Sequence, residues 1–179
     1  MLDYQSNSIF MENESDKQAL DAFLKSLAIL AETRDYVAVA APFTDLGFKN
    51  LEEENEGATF RVYGNKIYNA VIHLDRDPEP PFAAKQVVVA IALLFEPGTV
   101  VLSDIQNIFG DWYRDPVDGE RAALATSYFN PRVVAPTADY FLYANTTEDY
   151  VEMLSLTSPI ESIGTTWRDD RYNTENRPW

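Results

Sequence analysis

The stretch that most constrains this chain is Gln86–Phe95, QVVVAIALLF, its one long uninterrupted apolar run. It falls short of the roughly 20 apolar residues that cross a bilayer. Read as a strand, it places Val87, Val89, Ile91, Leu93 and Phe95 on one face and Val88, Ala90, Ala92 and Leu94 on the other. That division, bulky against small, predicts a central strand with a helix over its bulky face. A buried helix starting after Pro80-Pro81 is the competing reading, because Ala83, Ala84, Lys85 and Leu94 all favour helix. Three successive valines and the Glu96-Pro97-Gly98-Thr99 turn favour the strand.

A core strand needs partners, and the flanking sequence supplies them. Leu20, Phe23, Leu24, Leu27 and Leu30 recur at helical spacing, which predicts a helix from a Ser15–Gln18 capping box to about Glu32. Asp35 then opens a short unit: either a helix broken before Pro42 or a strand over Tyr36–Ala40. The acidic run LEEENE at 51–56 reads as a charged loop. Ala58–Tyr63 and Ile67–Leu74 read as a hairpin turning at Gly64-Asn65. Residues 75–81, DRDPEPP, form a second acidic loop, since alternating acids and prolines suit neither helix nor central strand. Asp75, Asp77 and Glu79 there have a calcium-loop spacing, but Pro78 and Pro80 stand where the glycine bend would be needed, so no metal is expected.

Beyond the apolar run, Ser103–Gln106 repeats the Ser-Asp-x-Gln capping pattern and predicts a helix stopped by Gly110. A third acidic loop, DWYRDPVDGE at 111–120, carries Trp112 and Tyr113. Strands are expected over 121–129, 139–144 and 150–157, and 159–179 reads as a tail whose tryptophans pack back on the domain. Residues 1–14 read as a loose N-terminal tail, leaving one domain over 15–158 with half-repeats at about 15–95 and 96–158. The fold expected is α+β: two α-β-β-β units forming one mostly antiparallel sheet, helices on one face.

The composition bounds function. Against 14 Lys and Arg stand 29 Asp and Glu, a net charge of −15, which repels nucleic acid and anionic membranes and draws basic partners. There is no cysteine, so thiolate catalysis, Cys-ligated zinc and disulfides are excluded. The N-terminal residues lack the basic start and apolar stretch of a signal peptide, and a cytoplasmic protein is expected. His73, the one histidine, has no nucleophile motif or metal spacing beside it, and no phosphate loop or nucleophile elbow is present. No catalysis and no cofactor are expected. Paired carboxylates are the one enzymatic route left, and they need environments that separate their pKa values.

The repeated order of helix, short unit and three strands resembles the beta-lactamase inhibitor protein type of fold and similar small bacterial α+β modules. That resemblance implies protein binding rather than turnover. Small size and acidity also resemble bacterial immunity proteins, which implies a basic toxin or effector as partner, met as a monomer or homodimer. A dimeric secretion chaperone is the alternative. The expected contact residues are the acids Glu52, Glu53, Glu54, Glu56, Asp75, Asp77, Glu79, Asp111 and Asp115 around Trp112 and Tyr113. Trp112 either faces a partner from a surface loop or folds inward against the core edge.

Overall fold

A computed structural model describes residues 14–55, 58–64, 69–76, 86–96, 98–113, 126–148 and 153–166. Helix α1 (Glu14–Glu32) carries the apolar stripe that its spacing required, with Leu20, Phe23, Leu27 and Leu30 buried. It begins before Ser15, so that residue lies in the first turn and is not the cap. Helix α2 (Tyr36–Asp45) is capped by Asp35, whose carboxylate accepts the Ala38 N–H at 3.0 Å. It runs through Pro42 instead of breaking there, because Val39, Ala40 and Phe43 are held in the core on both sides of the proline. Ser26 of α1 donates its hydroxyl to the Val39 carbonyl at 2.8 Å, tying the two helices together inside.

Four strands follow: β1 (Lys49–Asn55), β2 (Ala58–Gly64), β3 (Asn69–Arg76) and β4 (Gln86–Leu94). Apart from Glu56, which lies outside the described residues, the charged run is therefore strand over residues 51–55 and not loop. It sits at the sheet edge, the position where charged side chains are tolerated and discourage unwanted pairing. The expected hairpin forms as β2–β3, with Gly64 paired to Asn69; Asn65 of the expected turn lies outside the described residues. The apolar run is strand β4. A bulge opposite His73 and Leu74 shifts its alternation, so Val88, Ile91 and Leu93 enter the core, not the strict odd-numbered set.

The second half holds α3 (Leu102–Phe109), β5 (Thr126–Phe129), a 3-10 turn at Pro131–Val133, β6 (Phe141–Thr146) and β7 (Ile160–Thr166). Ser103 is not the cap of α3. Val101 is, and Asp104 reaches back to accept the Val101 N–H at 3.0 Å. The strand expected at 150–157 is instead placed at 160–166, inside the stretch read as a tail; residues 155–158 are drawn into a turn by the Ser158 hydroxyl, which accepts the Ser155 N–H at 2.9 Å.

All seven strands form one sheet in the order β1-β2-β3-β4-β7-β6-β5, every described pairing antiparallel. The halves are thus two meanders, each ending on a central strand, β4 or β7, and related by an approximate two-fold between those strands. The first half adds α2 and β1 to the common α-β-β-β unit. All three helices contribute to one buried cluster with the inward residues of the sheet, so they cover the same face. Tyr140, fully buried, donates its hydroxyl to the Leu27 carbonyl at 2.8 Å and joins the second half to α1.

Two acids lie inside this layer, Asp16 of α1 at 1% exposure and Asp104 of α3 at 2%. Burial raises the Asp104 carboxyl above its ordinary value and the nearby charge of Asp16 adds to the rise, while the Val101 N–H opposes it. A raised folded-state pKa binds the proton more tightly than the unfolded chain does. Its stabilising effect is complete below the unfolded value and fades as pH rises through the folded one. Asp104→Asn keeps the acceptor for Val101 and removes the buried charge. Urea unfolding should show the variant at least as stable as the parent at pH 7, with the parent regaining ground toward pH 4. A difference that stays constant over that range would contradict this account.

Candidate binding face

The face of the sheet away from the helices is set by register. Directly opposed residues in antiparallel strands point to the same side, so one line can be followed across the sheet. It runs Tyr113–Tyr128–Tyr143–Gly164–Ala92–Val71–Val62–Glu52. At ordinary strand spacing its span is about 30 Å. Tyrosines occupy one end, small residues the middle and an acidic position on the edge strand the other end. Tyr113, Tyr128 and Tyr143 are each half-buried, as are Ala92 and Val71.

A second line on the same face is polar. The Thr126 hydroxyl donates to the Asn145 side-chain oxygen at 2.8 Å, and the Asn145 amide donates to the Ser162 hydroxyl at 3.3 Å. Leu94, 39% exposed, is registered opposite Ser162 and Asn69. On the other flank lie His73 and Ala90, directly paired, and the buried Phe141. Burial of His73 lowers its pKa, which keeps the ring neutral at neutral pH.

Gly164 gives the tyrosine line its shape. A Cβ at this position would lie 2.8 Å from the Tyr143 hydroxyl oxygen, 3.0 Å from its Cζ and 3.1 Å from the Ile91 carbonyl. The end of Tyr143 therefore leans over the central strand into space only glycine leaves, and its burial pushes the hydroxyl pKa up.

The expected contact residues do not gather into one patch. Glu52, Glu53 and Glu54 lie on edge strand β1, with Glu53 registered opposite Arg61. Asp75 belongs to β3, opposite Val87, rather than to a loop. Asp111 is exposed just after α3 and accepts from the Gln106 amide at 3.2 Å. Glu56, Asp77, Glu79 and Asp115 lie outside the described residues. Trp112 and Tyr113 part company. Tyr113 exchanges both backbone hydrogen bonds with Tyr128, at 2.7 and 2.9 Å, and so extends the sheet past β5. Its neighbour Trp112 packs against the core. Strand alternation, not a surface loop, governs the pair.

Tyr128, Tyr143 and Gly164 escaped the sequence reading. The signal for the tyrosines was their alternation with Ser127, Phe129, Leu142 and Ala144; that for Gly164 was the β-branched run around it, Ile160 to Thr166.

The described residues also form a groove of about 520 Å³ between α1 and α2, floored by Ala22, Ile29 and Leu46, with Asp21, Lys25 and Asp45 at its rim. Lys25 meets Asp21 at 2.6 Å, and that contact, with Asp45 further off, raises its pKa. Among the described residues no three His, Asp or Glu side chains cluster as a metal would require, and no helix is long and apolar enough to cross a membrane. No protein-family model, curated protein or solved structure matches the chain.

The geometry separates Trp112 from Tyr113 experimentally. Trp112→Ala should cost about 2 kcal/mol of stability, short of the full core-aromatic penalty because the ring is half-buried. Tyr113→Ala should leave the urea midpoint close to the parent's; equal losses for the two would mean they share one environment. For Gly164→Ala the expected loss is about 1 kcal/mol, with most of it recovered when Tyr143 is also reduced to alanine. Strictly additive effects in that double-mutant cycle would show that Tyr143 does not lean on Gly164.

Proposed function

We propose that this chain is an acidic protein-binding module, an immunity protein or inhibitor that binds and neutralises a basic toxin or effector. The observation that carries the reading is the cross-strand tyrosine line on the helix-free sheet face of a chain with net charge −15. Tyrosine supplies interface area at low entropic cost, and the surrounding acidity steers a basic partner to it. Carboxylate catalysis finds less support. Of the two buried acids, Asp104 holds its oxygen on a helix-end N–H.

The reading is tested by affinity capture with the full chain from its native host, at low and at physiological salt. A basic protein should be retained, with an association rate that falls at least tenfold between the two conditions. No retained protein at either salt would overturn it. Light scattering on the free chain addresses the chaperone alternative, whose binding surface needs a dimer; a monomer removes that alternative.

A further inference from the structure

Helix α3 is only 8 residues long, too short to persist in water without outside support. Its cap position holds Val101, whose side chain accepts nothing from the first-turn N–H groups. Those groups are met from the connection between β6 and β7. The Leu102 N–H donates to the Ser158 carbonyl and the Ser103 N–H to the Leu156 carbonyl, each at 2.9 Å. Val101 is bridged to Pro159, and Ile160 donates its N–H to the Val100 carbonyl at 2.9 Å. The turn at 155–158 therefore caps α3 from far along the chain.

That turn closes on one buried hydroxyl. Ser158, 1% exposed, accepts the Ser155 N–H at 2.9 Å and donates to the Glu148 carboxylate at 3.1 Å. The Ser158 N–H returns to the Ser155 carbonyl at 3.0 Å. At its far end α3 meets the margin of the sheet. The Phe109 ring lies 6.0 Å, centroid to centroid, from Phe129 of β5. Gly110, with φ of 82°, ends the helix and donates its N–H to the Gln106 carbonyl at 2.8 Å. Just beyond it Tyr113 exchanges its two backbone bonds with Tyr128 of the short strand β5. Helix α3 packs chiefly on β6 and the 3-10 turn, whereas α1 and α2 pack on β3 and β4.

We propose that the 155–158 turn is a latch for this outer part of the sheet. Closed on Ser158 and Glu148, it holds α3, and α3 holds Tyr113 and β5. Opened, it releases α3, Tyr113 and β5 as one unit while β2 to β4 keep their pairing under α1 and α2. The position of Tyr113 is then governed by a serine at the opposite end of a helix. The latch is built from backbone geometry and stands whether or not the tyrosine line meets a partner.

Amide hydrogen exchange on the full chain, followed by NMR at low denaturant, tests it. Leu102, Ser103, Gly110, Tyr113 and Tyr128 should exchange through one shared opening that is easier than the one exposing β3. Ser158→Ala should speed all of them by the same factor, roughly fivefold or more, because both bonds of the hydroxyl are lost. Glu148→Ala removes one of the two bonds and should give the same pattern at a smaller factor; it serves if Ser158→Ala folds poorly. Faster exchange at Leu102 and Ser103 with Tyr113 and Tyr128 unchanged would overturn the proposal, since the turn would then open alone. Exchange of all these amides only together with β3 would overturn it too, because no separate unit would exist.

Discussion

The pairing of β4 with β7 is the interaction on which the rest of this fold depends. Among the described residues three registered pairs join the halves there: Ala92 with Gly164, Leu93 with Ile163 and Leu94 with Ser162. Next to them the Thr165 hydroxyl accepts the Ile91 N–H at 3.0 Å. At the other end the Phe95 N–H reaches the Glu161 carbonyl at 2.9 Å, and Ile160 donates to Val100. Without this seam each meander would present an unpaired central strand, flanked by Ile91 and Leu93 on one side and Ile163 on the other. The seam converts two incomplete units into one sheet with a single buried face.

The same seam shapes the face turned away from the described helices. Because Ala92 and Gly164 meet there, the middle of the sheet is low, and Tyr143 can lean across it from β6. A larger residue at Gly164 would lift the tyrosine or crowd the Ile91 carbonyl. The core side of the seam is ordinary close packing of Leu93 and Ile163, so stability and surface shape are set by alternate residues of the same two strands. Such alternation lets the outer face vary while the inner face holds the fold.

This division explains what could be read from sequence. The α1 stripe and β4 were legible because each buries an apolar set with its own period, and the β2–β3 pairing because a turn dipeptide separates two strand-like runs. Strand β7 was not. Its residues Glu161, Ser162, Gly164 and Thr165 are polar or small, and only the tertiary seam makes them central. Strand β1 looked like a loop because three glutamates stand in its middle; an edge accepts them since one side of the strand faces water. Trp112 and Tyr113 looked like a unit because adjacency in sequence is adjacency in a loop but opposition in a strand. The three tyrosines stand about 15 residues apart along the second half, so no local window could bring them together.

Charge and aromatic surface then act over different distances. The net charge of −15 works through solvent over about 10 Å at moderate salt, and on the proposed reading it steers a basic partner without distinguishing one from another. On that reading Tyr128 and Tyr143 act only at contact, where their spacing is fixed by the backbone ladder. Neither alone makes a selective binder: the field without the rings would hold any basic protein weakly, and the rings without the field would meet few. The sheet is what couples them, because the register that aligns the tyrosines also puts Glu52 at the far end of the same line. A partner lying along that line would meet rings first and acid last, and its orientation would be set by the asymmetry between the two ends.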